Sequence, residues 1–183
     1  MVSRIIAAAS LFVATAAVAQ TPYSRLDWPH WASNGLVDTR ERVLFRDAIN
    51  PKAVILNQHG NVIAGAWTDL YTGKLLTEPS KVDIDHLVPL KHAHDLGGWK
   101  WPVDKRREFA NWMQFHGALV VTHESVNRSK GARPPQSWMP PDPYFHCEYV
   151  KRWALIKVIW GLPFEEQERI ALRNGAATCW VTR

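Results

Sequence analysis

The stretch Val82-Asp83-Ile84-Asp85-His86-Leu87-Val88-Pro89-Leu90-Lys91-His92-Ala93-His94-Asp95 places three histidines and three aspartates within fourteen positions. At its centre a carboxylate, Asp85, adjoins an imidazole, His86. A carboxylate offers a hard anionic oxygen to a cation, and an imidazole with an ordinary pKa of about 6.5 exchanges a proton near neutral pH. The pair therefore has the makings of metal-assisted phosphodiester chemistry; the competing reading is a polar, histidine-rich loop. His92 and His94 could hold a transition metal if the chain there were extended. On a helix, residues two apart do not face one another, so polar surface is their expected setting.

The elements that must position these groups can be read from pattern and punctuation. Asp38-Thr39-Arg40 caps a predicted helix reaching to about Ile49 and closed by Asn50-Pro51. Residues 53–58 and 62–68, either side of a His-Gly-Asn turn, read as a β-hairpin, and a second hairpin is expected around Tyr71-Thr72-Gly73-Lys74. Val82-Asp83-Ile84-Asp85 alternates as a strand does. After Pro89 there is room for a short helix over 90–96, and then for a helix from Pro102 to about Gln114. Leu119-Val120-Val121 reads as a buried strand, followed from Thr122 or His123 by a short helix to Lys130, stopped at Gly131. Tyr149, Trp153, Ile156 and Trp160 mark one face of a C-terminal helix, and a last helix is expected over about 164–173. The ten tryptophans are mostly core and interface filling in this reading, with base stacking by one or two as the alternative.

Arg4, the apolar run Ile5 to Ala17, and Ala17-Val18-Ala19 form a signal-peptide pattern with an expected cut after Ala19. Residues 20–183 are then expected to form one domain of an exported protein, periplasmic or secreted, without stable membrane association. Loss of Arg4 takes the formal charge from +5 to +4. The basic clusters Lys105-Arg106-Arg107, Arg128-Lys130-Arg133 and Lys151-Arg152 permit a polyanionic partner without requiring one. Cys147 and Cys179, in an oxidising compartment, are expected to pair and tie the C-terminal tail to a helix. Without a Cys-x-x-Cys spacing, a thiolate zinc site and thiol redox catalysis are excluded. A Walker loop and a Gly-x-Ser-x-Gly elbow are also missing from the chain.

Two separated runs, Ile84-Asp85-His86-Leu87-Val88-Pro89-Leu90 and Asn127-Arg128-Ser129-Lys130-Gly131, stand about forty residues apart with a strand before the second. In them the sequence resembles the HNH (His-Me finger) endonucleases of the ββα-metal class. It is most similar to secreted bacterial members related to the C-terminal domain of GmrSD-type restriction enzymes, with Trp67-x-Asp69-x-Tyr71-Thr72-Gly73 also fitting. The resemblance covers about residues 38–160, with a motif core over about 80–133. It implies an α+β fold with a ββα-metal core, N-terminal β-hairpins and C-terminal helices. It implies a metal-dependent endonuclease that leaves a 5′ phosphate and a 3′ hydroxyl.

The residue types suit that chemistry. Asp85 and Asn127 are the implied metal ligands, their oxygens matching Mg²⁺ or Mn²⁺, with Zn²⁺, Ni²⁺ or Ca²⁺ as alternatives. His86 is the implied general base. Arg128 and Lys130 are the implied phosphate contacts, on a helix lying against a nucleic acid, DNA before RNA. Adjacent strand residues point to opposite faces, so ligand and base converge only if the strand breaks near His86. Asp83 shares a strand face with Asp85 and is a candidate auxiliary carboxylate; His123, at the strand-helix junction, is another candidate or else a cap. The chain departs from the family pattern at Ala118, where an Asn ordinarily pins the loop around the base; His116 or Gln114 is the candidate substitute. Two other readings stay open: a nucleic-acid-binding protein that has lost turnover, and a periplasmic metal-binding protein using His92 and His94.

Overall fold

The computed structural model describes residues 19–33 and 35–180; the expected leader, apart from Ala19, lies outside the described residues. Among the described residues, three two-stranded antiparallel sheets are interleaved with helices, an α+β arrangement. Helix α1 (Thr39–Asp47) begins where the Asp38 carboxylate accepts the Glu41 N–H at 3.0 Å, and it buries Val43 and Leu44. Strands β1 (Ile55–Leu56) and β2 (Val62–Ala64) form the first hairpin. The strand expected over 62–68 is divided, because Trp67–Thr68 forms β3 and pairs with β4 (Leu75–Leu76) instead. The cause is Trp67: its fully buried indole donates to Leu44 O at 2.7 Å, docking the chain beneath α1.

The β3–β4 turn is built around Asp69. Its buried carboxylate accepts from Tyr71 N (2.9 Å), Thr122 Oγ1 (2.9 Å) and His123 N (3.2 Å). Gly73, at φ 69°, closes the turn by donating to Asp69 O at 2.8 Å, a conformation that a side chain disfavours. The same contacts carry β6 two residues beyond the expected Val121.

The central pair is β5 (Val82–His86) with β6 (Leu119–His123), in register Asp83↔Thr122, Asp85↔Val120 and His86↔Leu119. Between them lie α2 (Leu90–Asp95) and α3 (Val103–Ala110); α4 (Glu124–Lys130) follows β6 directly. Helix α3 stops short of Gln114 because Asn111, its C-cap, spends its amide on Pro29 O and Ala32 N, each at 2.8 Å. Period-two alternation gives this sheet two different faces. Val82, Ile84, Leu119 and Val121 join Val43, Leu44 and Trp67 in one apolar cluster beneath α1. Val120 joins the larger cluster of Trp28, Tyr71, Leu87, Phe109, Tyr149 and Trp153. The latter rests on α5 (His146–Trp160), whose Tyr149, Trp153, Ile156 and Trp160 are all buried as the periodicity requires. Helix α6 (Glu166–Ala177) packs on α5, and Cys147–Cys179 links the start of α5 to the turn after α6.

Candidate active site

Asp85 lies on the inner half of β5, where burial raises its carboxyl pKa against the opposing effects of Lys130 and Tyr71. Its Oδ2 accepts the Tyr71 hydroxyl at 2.6 Å and faces Lys130 Nζ at 2.7 Å. Tyr71 is delivered by the Asp69-centred turn, so the run Trp67-x-Asp69-x-Tyr71-Thr72-Gly73 acts on the site from a distance in sequence. Lys130 also donates to His86 O at 3.0 Å, and its side chain has no exposure. Its ammonium is therefore turned inward, away from the solvent-facing phosphate contact expected of it.

His86 ends β5, but the pairing with β6 is regular through Asp85 and His86 and continues at Leu87, so the strand break expected at His86 is not found there. Asp85 turns to Tyr71 and His86 to Trp31, while both residues line the edge of one cleft. Its Nε2 donates to Ala110 O at 2.8 Å, a carbonyl that can only accept, so the unprotonated nitrogen of the neutral ring is Nδ1. Trp31 stacks on the imidazole with centroids 5.5 Å apart and planes 23° from parallel. Trp31 holds a left-handed backbone, φ 55°, costing on the order of 1 kcal/mol and sustained only by surrounding contacts. Burial lowers the His86 pKa to about 3, so the free ring is neutral.

At Ala118 the side chain has no group with which to pin the loop, yet the backbone does so: Leu87 N donates to Ala118 O at 2.9 Å. With Lys130 on His86 O and Ala110 on the ring, the segment carrying His86 is held at three points. The proposed substitute His116 is engaged elsewhere, 3.0 Å from Asp47, and its side chain is mostly exposed.

Asn127, on α4, donates its Nδ2 to Asp83 Oδ2 at 3.1 Å, which leaves its carbonyl as the oxygen available to a cation. Asp83 thus acts on Asn127. Asp85, His86, Asn127 and Arg128 line one cleft of about 330 Å³, together with Tyr23 and Arg25 from the N-terminal segment. Arg128 pairs with Glu124 at 2.9 Å and is largely exposed. His123 caps α4 by accepting Ser125 N at 3.1 Å and lines a different cleft, beside Thr72 and Lys74.

The histidines of α2 are buried, which corrects the expectation of polar surface. His92 lies against Trp153 and 3.6 Å from Glu168, in a cluster where Lys157 Nζ donates to Glu168 at 2.6 Å. His94 donates through Nε2 to Thr21 O at 2.8 Å and accepts the Trp28 indole at 3.4 Å. Sequence periodicity could not show that the C-terminal helices and the N-terminal segment close over both faces of so short a helix.

Among the described residues, no three His, Cys, Asp or Glu side chains are gathered around a common metal position. Two oxygen donors remain, the second oxygen of Asp85 and the carbonyl of Asn127. Oxygen donors of this kind could hold a hard divalent cation. They do not fit a buried transition-metal cage.

Comparison with known proteins identifies a family and one relative. The family described as GmrSD restriction endonucleases, C-terminal domain, matches residues 38–174. A protein of Arthroderma benhamiae named "Uncharacterized secreted protein" is 37% identical over 161 residues, covering 87% of this chain and 77% of its own length. No solved structure matches the chain.

Proposed function

The chain belongs to the family of GmrSD restriction endonuclease C-terminal domains, and from that premise we propose that it is an exported, divalent-metal-dependent nuclease with a ββα-metal site formed by β5, β6 and α4. The observation that carries this reading is the shared cleft: Asp85, His86 and Asn127, about forty residues apart in sequence, all line it, and the His86 ring keeps an unprotonated Nδ1. The leader pattern and the relative named as secreted support export. Among the described residues no helix is long and apolar enough to cross a membrane.

In this mechanism a phosphodiester of DNA, or of RNA, lies in the cleft and water attacks phosphorus. The water proton passes to His86 Nδ1 as the new P–O bond forms, while Ala110 and Trp31 keep the ring from turning. The P–O3′ bond breaks, the phosphate stays on the 5′ fragment, and the departing 3′ oxygen takes a proton from solvent. Asp85 and Asn127 would hold Mg²⁺ or Mn²⁺, which when bound supplies neutralisation of the phosphoryl charge and of the departing oxygen. The low basicity of free His86 is relieved when the anionic substrate enters, because a nearby negative charge favours the imidazolium.

Plasmid nicking by the purified protein tests the reading. Nicking is expected with Mg²⁺ or Mn²⁺, lost with chelator and with His86→Ala, and leaving ends that ligase reseals. Zn²⁺, Ni²⁺ and Ca²⁺ form the comparison set. Nicking that survives both chelation and His86→Ala would remove the proposal; DNA retention without strand breaks would favour a binding protein of the same fold.

A further inference from the structure

Residues 20–33 precede the region that matches the family, yet they form part of the cleft wall. This strap is fixed on both sides of Arg25. Upstream, Thr21 O is held by His94; downstream, buried Trp28 is held by the same His94, and Pro29 and Ala32 are held by Asn111. Between these anchors, Ser24 caps the tight turn Arg25–Asp27 by accepting Leu26 N at 3.3 Å. The position of Arg25 is therefore set by the fold and not by a loose terminus.

The Arg25 side chain is also oriented. Its Nε donates to His30 Nε2 at 3.0 Å, and His30 Nδ1 donates in turn to Trp28 O at 2.9 Å, so the imidazole presents its lone pair to the guanidinium. Arg25 is exposed, and lines the cleft beside Asp85 and His86.

Charge accounting then separates Arg25 from its neighbours. Three cations line this cleft: Arg25, Lys91 and Arg128. Lys91 is paired with Asp95 at 2.5 Å and Arg128 with Glu124 at 2.9 Å. The buried Lys130 is cancelled by Asp85. Among the described residues Arg25 has no carboxylate within ion-pair distance, so the uncompensated positive charge of the cleft is its own. A guanidinium suits the non-bridging oxygens of a phosphodiester, which it can contact through two parallel N–H donors.

We propose that Arg25 is a substrate-phosphate contact, so that the site is built jointly by the family domain and the strap before it; this rests on the nuclease reading above. The phosphate-binding role expected of Lys130 passes to a residue some hundred positions upstream.

The test compares wild type, Arg25→Ala and Arg25→Lys in plasmid nicking with Mn²⁺. It adds binding of a fluorescein-labelled DNA duplex in chelator across a salt series. Arg25→Ala is expected to lower kcat/KM about 10- to 100-fold and to make the log–log salt dependence of binding shallower by about one. Arg25→Lys keeps the charge and is expected to retain the salt slope while recovering only part of the rate. A purely structural role for Arg25 would not move the salt slope. If wild type cuts and Arg25→Ala cuts and binds equally at every salt concentration, this inference is overturned while the nuclease reading stands. If wild type neither cuts nor retains the duplex, the nuclease reading fails and takes the role of Arg25 with it.

Discussion

Lys130 Nζ lies 2.7 Å from Asp85 Oδ2, with the lysine side chain fully enclosed and the aspartate nearly so. The family pattern reads this lysine as part of a basic, substrate-facing run, and the fold uses it as the buried counter-charge of Asp85. The pairing has two consequences. It opposes the upward shift that burial imposes on the Asp85 carboxyl, and it occupies one oxygen of that carboxylate, leaving the other for the proposed cation.

Removing one partner of such a pair leaves an unpaired buried charge, at a cost of about 3–5 kcal/mol. Lys130→Met is therefore expected to lower unfolding free energy by about that amount in urea titration. The double variant Asp85→Asn/Lys130→Met is expected to recover a large part of the loss. A surface phosphate contact would instead leave stability within about 0.5 kcal/mol of wild type, and that result would contradict the geometry.

Much of the frame was legible because it rests on local pattern. The Asp38 cap, the β5 alternation and the apolar stripe of α5 all follow from periods and punctuation that a few neighbouring residues determine. Of the candidate site, the sequence offers Asp85, His86 and Asn127, whose types suggest a chemistry and which the fold brings to one cleft. What held them was not legible: Tyr71 reaches Asp85 across 14 positions, Ala110 reaches His86 across 24, and Lys130 reaches His86 across 44. A backbone carbonyl such as that of Ala110 has no sequence signature at all. Ala118 illustrates the same limit, since the missing side-chain anchor is replaced by main-chain and distant contacts that no single position reveals.

The buried cluster of His92, Trp153, Lys157 and Glu168 makes a prediction about acid stability. Burial alone would raise the Glu168 pKa, but bonds from His92, Lys157 and Trp153 outweigh it and bring the value down to about 2. A carboxyl whose folded pKa lies below its unfolded value binds more protons when unfolded, so its stabilisation is complete above about pH 4.5. The contribution is lost as pH falls from there to about 2. Thermal unfolding followed from pH 6 to pH 2 is expected to fall less steeply for Glu168→Gln than for wild type, from a lower starting point. Parallel curves for the two proteins would show that Glu168 does not control this range.

Asp83 gives the sharpest separation between a fold that merely resembles a nuclease and a site tuned to hold a cation. Its contact with Asn127 joins β5 to α4 through one hydrogen bond of 3.1 Å, at a half-exposed position where its loss costs little stability. Its effect on function should be larger, because the amide it fixes has two nearly equivalent orientations, only one of which presents an oxygen. Groups that orient a metal ligand typically contribute 10–100-fold in affinity. Asp83→Ala is accordingly expected to raise the Mn²⁺ concentration needed for half-maximal nicking by roughly 10- to 100-fold. The rate at saturating metal should fall far less, and the unfolding midpoint should stay near wild type. Asp83→Asn, which retains an acceptor oxygen, is expected to recover part of the loss. An unchanged metal requirement in Asp83→Ala, together with loss of nicking in Asn127→Ala, would mean that Asn127 is oriented by something other than Asp83.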